Sequence, residues 1–106
     1  MDTLQPYNYS SPIQGVQVKP MSEDGTNVRI RYNGLLKESG AAQVWMHAGF
    51  GNIDDWNSVL DVPMEQTGAG WEKTVQMQDR QLNFCFKDNI ENWDNNSGMN
   101  WIYRIS

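Results

Sequence analysis

The sequence predicts an all-β domain, two antiparallel sheets stacked as a sandwich, and three observations carry that expectation. Apolar and polar residues alternate with a period of two in run after run, the pattern of strands with one buried face. Clusters rich in Gly, Asn, Asp and Ser separate the runs at short intervals. No segment shows the 3.6-residue apolar period of an amphipathic helix.

Residues 1–14 contain Pro6, Pro12, two serines and two tyrosines and read as a weakly structured lead-in, which leaves residues 15–106 as the folded domain. Val16 and Val18 then alternate with Gln17 and Lys19, and Met21-Ser22-Glu23-Asp24-Gly25 turns the chain. Val28, Ile30 and Tyr32 face one way, with Arg29 and Arg31 opposite, before the turn signal Asn33-Gly34. A third strand covers residues 43–48, with Val44, Met46 and Ala48 on one face and Trp45 and His47 on the other. Residues 49–57 read as a long polar loop. Residues 59–64 follow as a strand that Pro63 restricts to a sheet edge or a strand end. After Thr67-Gly68-Ala69-Gly70, Trp71, Lys73, Val75 and Met77 alternate with Glu72, Thr74 and Gln76. Leu82, Phe84 and Phe86 face the core on the next strand. A second long polar loop spans residues 88–100, and Trp101, Tyr103 and Ile105 close the chain. About seven strands result, the count of an immunoglobulin-like sandwich.

With 106 residues the chain is sized for one domain, and five tryptophans, four tyrosines and three phenylalanines can fill its core. A net charge of −5 argues against nucleic acid, which demands a basic face, and against anionic membrane surfaces. No apolar run reaches transmembrane length. The single cysteine, Cys85, has no internal partner and reads as a small buried hydrophobe. With one histidine and one cysteine the chain owns too few soft ligands for a metal site, and no cofactor is expected. Residues 1–12 lack a basic start and an apolar stretch, so they are not a secretory signal. The expected location is cytoplasmic if this is the full-length chain and extracellular if it was excised from a secreted enzyme. A monomer is expected.

The tryptophans sort by their neighbours. Trp71 and Trp101 lie in alternating strands and belong to the core. Trp45 shares a strand face with His47 and reads either as a partly buried support or as part of an exposed platform. Trp56 and Trp93 sit among Asp and Asn in the two long polar loops, where an exposed indole marks a contact site and the alternative is an indole folded back as a lid on the core. His47 ends the strand that leads to Trp56. The reading of a satisfied strand histidine and that of a ligand contact both stand. Asn95 and Asn96 serve equally as turn formers and as amides for hydroxyl groups. Two indoles, one imidazole and several amides suit a flat, hydroxyl-rich, partly apolar ligand such as carbohydrate.

These residues resemble the starch-binding carbohydrate-binding module of family 25 and, close to it, the plant starch-synthase modules of family 53, over residues 28–105. Val44-Trp45-Met46-His47-Ala48-Gly49 is similar to that family's aromatic-apolar-His-x-Gly strand end, and Asp55-Trp56-Asn57 to the tryptophan that follows. Trp71-Glu72-Lys73-Thr74-Val75 resembles its core strand. Leu82-Asn83-Phe84-Cys85-Phe86-Lys87-Asp88 resembles the strand before its last loop, and Trp93-Asp94-Asn95-Asn96-x-Gly98 the loop itself. Two departures stand out: a longer spacing between His47 and Trp56, and Trp45 where the family carries tyrosine. The resemblance implies a non-catalytic module that binds α-1,4-glucan through His47, Trp56 and Trp93, with Asn95 and Asn96 as polar neighbours. An accompanying amylase-type hydrolase is compatible with it.

Two other functions compete. A glycosidase needs two carboxylates across the scissile bond, which Asp54, Asp55, Glu91 and Asp94 could supply, but the chain has no room for a deep cleft beside its core. An immunoglobulin-like protein-interaction or regulatory domain would use the loop tryptophans as hot spots. A response of tryptophan fluorescence to maltoheptaose and not to cellohexaose separates sugar from protein binding.

Overall fold

The computed structural model describes residues 3–4 and 15–105. It is a sandwich of two sheets, and seven of its strands coincide with the seven the alternation predicts. β1 (Thr3–Leu4) is followed by β2 (Val16–Pro20), β3 (Asn27–Tyr32), a one-turn helix α1 (Leu35–Glu38), β4 (Val44–Asn52) and β5 (Asp55–Pro63). β6 (Glu65–Thr67), β7 (Gly70–Gln76), β8 (Gln81–Asp88), β9 (Trp93–Asp94) and β10 (Trp101–Arg104) complete the chain. The larger sheet runs β1-β10-β8-β4-β5, with β9 added on β8; the smaller runs β2-β3-β7-β6. Every pairing is antiparallel except that of β1 with β10. β1 lies within the stretch expected to be a loose lead-in; residues 5–14 are outside the described set.

The period-two pattern does what it predicts. Val16, Val18, Val28, Ile30, Tyr32 and Trp71 point from the smaller sheet into the core. Met46, Ala48, Phe50, Leu82, Phe84, Phe86, Trp101 and Tyr103 meet them from the larger. Tyr32 stacks on Phe86 across the two sheets at 4.2 Å between centroids, and Trp101 packs edge-on to Phe86 at 5.3 Å. Trp71 and Trp101 are both core, as their neighbours indicate, and Cys85 is buried.

Several features depart from the sequence expectation, β1 and the short β6 among them. Residues 49–57 are not a long loop. β4 continues to Asn52, turns at Ile53-Asp54 and returns as β5, with a bulge between Ala48 and Phe50. The hairpin is polar because β5 is the sheet edge and most of its side chains are exposed, so no apolar alternation betrays it. Residues 88–100 are likewise interrupted, by β9 paired to β8. Leu35–Glu38 forms a helix too short for any periodicity to show. Pro63 falls at the end of the edge strand, one of the places where its missing N–H does no harm.

Candidate functional site

The outward face of the larger sheet gathers His47, Trp56 and Trp93 into one cluster. Ladder register sets this up. His47 on β4 stands opposite Asp61 on β5 and Cys85 on β8, and in the next row Trp45 stands opposite Lys87, which in turn faces Trp93 on β9. Antiparallel partners share a face, so these side chains form a continuous surface across four strands.

The imidazole lies between the two indoles. Its centroid is 5.8 Å from that of Trp56, at 33° between planes, and 5.4 Å from that of Trp93, at 86°. The two indole planes are therefore inclined by at least the difference of those angles, about 53°. Trp93 is 50% exposed and Trp56 is partly buried.

Each indole is held by a specific device. Trp56 rests on Gly49, where a Cβ would come within 2.7 Å of the Trp56 Cβ and 2.9 Å of its Cε3. Its Nε1–H donates to the Ile53 carbonyl at 2.6 Å, which pins the ring across its own hairpin turn. Trp93 is aimed outward because its neighbour is anchored inward. Asp94 is buried, accepts a hydrogen bond from the Tyr32 hydroxyl at 2.6 Å, and fixes β9 from below. Burial and the Asp94 carboxylate both push the Tyr32 phenol far above its ordinary range, which keeps it a donor. Gly34 packs against this pair, 3.0 Å from Asp94 Oδ2 at a notional Cβ.

His47 is oriented from one side. Its Nδ1 lies 2.6 Å from Asp61 Oδ1, and Asp61 Oδ2 accepts from Lys87 Nζ at 2.9 Å. The Lys87 hydrogen bond holds the Asp61 carboxyl below its ordinary value, outweighing burial, and the His47 hydrogen bond adds to it. With Asp61 as acceptor, Nδ1 carries the proton and Nε2 is left as the free ring nitrogen. The Lys87 ammonium also sits 5.3 Å from the Trp93 ring centroid, within cation–π range. Cys85 lies under this surface; burial first, then the Asp61 and Asp94 charges, push its thiol up to about 11, so it is no nucleophile.

Asn95 and Asn96 occupy the turn after Trp93. Asn95 Oδ1 accepts from Gly98 N at 2.9 Å, and Asn96 Nδ2 donates to the Asn100 carbonyl at 3.0 Å. Asn96 itself adopts φ 57°, a left-handed conformation that asparagine tolerates. The turn role is thus evident in their hydrogen bonds. Asp61 and Lys87 escaped sequence reasoning; the signal that finds them is ladder register, which composition does not reveal.

Two cavities flank the cluster. One of about 350 Å³ is lined by Gly51, Asn52, Ile53, Asp79, Arg80, Gln81 and Arg104, beside the Trp56 hairpin. The other, about 240 Å³, is lined by Trp45, Asp61, Lys87, Asp88, Asn89 and Glu91. Among the described residues no group of three or more His, Cys, Asp or Glu side chains is placed to hold a metal ion.

The model of the starch/carbohydrate-binding module (family 53), a family of non-catalytic modules, matches residues 28–84. That span is just over half of the chain and includes His47 and Trp56 but ends before Trp93. An α-amylase of Clostridium acetobutylicum is 30% identical over 99 residues, covering 91% of this chain and 12% of the amylase. The chain thus spans about an eighth of that relative's length. No solved structure matches.

Proposed function

This chain belongs to the starch/carbohydrate-binding modules of family 53, and on that premise we propose that it binds α-1,4-linked glucan on the outer face of its larger sheet through Trp56, Trp93 and His47. The observation that carries the reading is the inclination of the two indoles about one imidazole. A straight β-linked chain presents its sugar faces in nearly one plane; an α-1,4-linked chain curves, and successive glucose faces tilt against one another. Planes inclined by at least about 53° suit the second geometry and not the first. The same feature supports the motif resemblance to family 25.

Each indole would cover the C–H face of a glucose ring. Burial of apolar surface contributes about 25 cal/mol per Å², and stacking of bases on aromatics contributes roughly 1–3 kcal/mol per ring. His47 Nε2 would accept from a glucose hydroxyl, its orientation fixed in advance by Asp61. The amide groups of Asn95 and Asn96 not used within the turn would serve neighbouring hydroxyls. Ordering a flexible glucan offsets part of this gain, so one site binds modestly and depends on avidity at a granule or beside a second module. The likeness to an α-amylase fits a module that brings such an enzyme to its polymer.

Trp56→Ala and Trp93→Ala should each nearly abolish retention in an amylose or glycogen affinity gel while leaving far-ultraviolet circular dichroism unchanged. Retention equal to wild type in both variants would overturn the site. Maltoheptaose should perturb tryptophan fluorescence, and cellohexaose should not.

A further inference from the structure

The cavity beside Trp45 is not used by the three residues proposed above. We propose that it is an additional glucose subsite, with Trp45 as its stacking wall and Asn89 and Glu91 as hydroxyl contacts; this rests on the α-glucan reading of the His47 face and extends it.

Position comes first. Trp45 precedes His47 by two residues on the same strand and face, a separation of about 7 Å along the ladder. Further along β4 the same face is Gly49, covered by Trp56. The line Trp45, His47, Trp56 thus follows β4, with Trp56 reaching over Gly49 from β5 and Trp93 flanking from β9. A chain long enough to pass both Trp56 and His47 reaches the Trp45 cavity next.

Composition of the cavity points the same way. One wall is an indole that is only partly buried, and the remaining lining is polar: Asp61, Lys87, Asp88, Asn89 and Glu91. Three of those are already committed. Asp61 is shared between His47 and Lys87, and both Asp88 oxygens are taken up by Ile90 and Asn92. They form a fixed floor. Asn89 and Glu91 are exposed at the rim, where a carboxamide and a carboxylate can exchange water for sugar hydroxyls. A volume of about 240 Å³ is slightly under the roughly 300–1,000 Å³ of clefts that enclose drug-sized ligands, and suits one hexose ring at the end of a longer chain.

The competing role for Trp45 is that of a prop against Pro63, its ladder partner on the edge strand. A prop acts on every ligand alike, whereas an outlying subsite acts only on ligands long enough to reach it. Calorimetric titration with maltotriose and maltoheptaose separates the two. In Trp45→Ala, maltoheptaose affinity should fall about tenfold, the equivalent of one lost stacked ring, with maltotriose affinity unchanged. Asn89→Ala and Glu91→Ala should show the same selectivity with smaller losses. Both side chains are exposed, so these two variants decide between the roles if Trp45→Ala fails to fold. Equal losses for both sugars, or wild-type affinity in all three variants, would refute the subsite while Trp56→Ala and Trp93→Ala still lose both sugars. If the latter two retain both sugars, the α-glucan reading itself falls, and this subsite with it.

Discussion

The two sheets bury similar inner faces and present opposite outer ones. On the smaller sheet the outward residues neutralise one another. Arg29 donates to Glu72 at 3.1 Å and to Thr74 at 2.9 Å, Arg31 lies 3.6 Å from Glu72, and Thr67 donates to the other Glu72 oxygen at 2.6 Å. Such a face is content in water. The outward face of the larger sheet instead carries Trp45, Trp56 and Trp93 around an imidazole, with the Asp61–Lys87 pair beside it. Water gains nothing from meeting indole, so aromatic area kept on an outer sheet face signals a partner that covers it. The contrast favours the proposed site without reference to any motif.

The largest effect that tests this division compares tryptophans rather than sheets. Trp71 is buried at 3% exposure and stands opposite Tyr32, so Trp71→Ala should cost about 3–5 kcal/mol in chemical denaturation and leave much of the protein unfolded. Trp93→Ala, on a ring half in solvent, should change stability by no more than about 0.5 kcal/mol. Comparable losses in both would mean that the outer aromatics are structural after all, and the contrast between faces would collapse.

A smaller effect sharpens the comparison at the site. The backbone of Gly49 is not left-handed, so alanine is conformationally allowed there, but its methyl would meet the Trp56 Cβ at 2.7 Å and the ring Cε3 at 2.9 Å. Gly49→Ala should therefore displace the indole, cost about 1–3 kcal/mol from overpacking, and weaken maltoheptaose binding several-fold with the fold intact. Thr74→Ala, on the charged face, should leave binding untouched. Wild-type affinity in Gly49→Ala would show that the Trp56 setting has no part in recognition.

Much of the scaffold was legible in the chain because alternation reports a one-sided environment. Val28, Ile30 and Tyr32, or Leu82, Phe84 and Phe86, can satisfy their pattern in no other way. The His47–Trp56 hairpin was illegible for the converse reason. β5 is an edge with most of its side chains in water, so Asp55-Trp56-Asn57 carries the composition of a loop while making the backbone pairs of a strand. Asp94 misled in the same way: it reads as one more polar loop residue, but it is the buried acceptor of Tyr32, 62 positions earlier in the chain. The Asp61 tie to His47 and Lys87 also depends on register across three strands. Such pairings are set by non-local packing, which one-dimensional periodicity cannot carry.

The smallest expected effect uses acid to separate the two faces. Asp61 and Glu72 are both held below their ordinary values of 3.8 and 4.5, the first chiefly by the Lys87 hydrogen bond and the second chiefly by the Thr67 hydroxyl, each against the opposing pull of burial. A carboxyl lowered by folding contributes fully above its ordinary value and loses that contribution as pH falls through the lowered one. From pH 7 down to about 5 neither face should change on this account. Below about pH 4 protonation begins to release His47 and Lys87 on one face, and Arg29 and Arg31 on the other. The first release should be read as weaker maltoheptaose binding, the second as a lower melting temperature. Asp61→Asn should already bind about two- to threefold more weakly at pH 7, since one neutral amide is a poorer acceptor for both partners. It should then lose most of the further fall in affinity below about pH 4 while keeping the acid dependence of the melting temperature. If its affinity instead fell with acid as steeply as that of wild type, Asp61 would not be the group that orients His47, and the outer face of the larger sheet would owe its acid sensitivity to some other carboxyl.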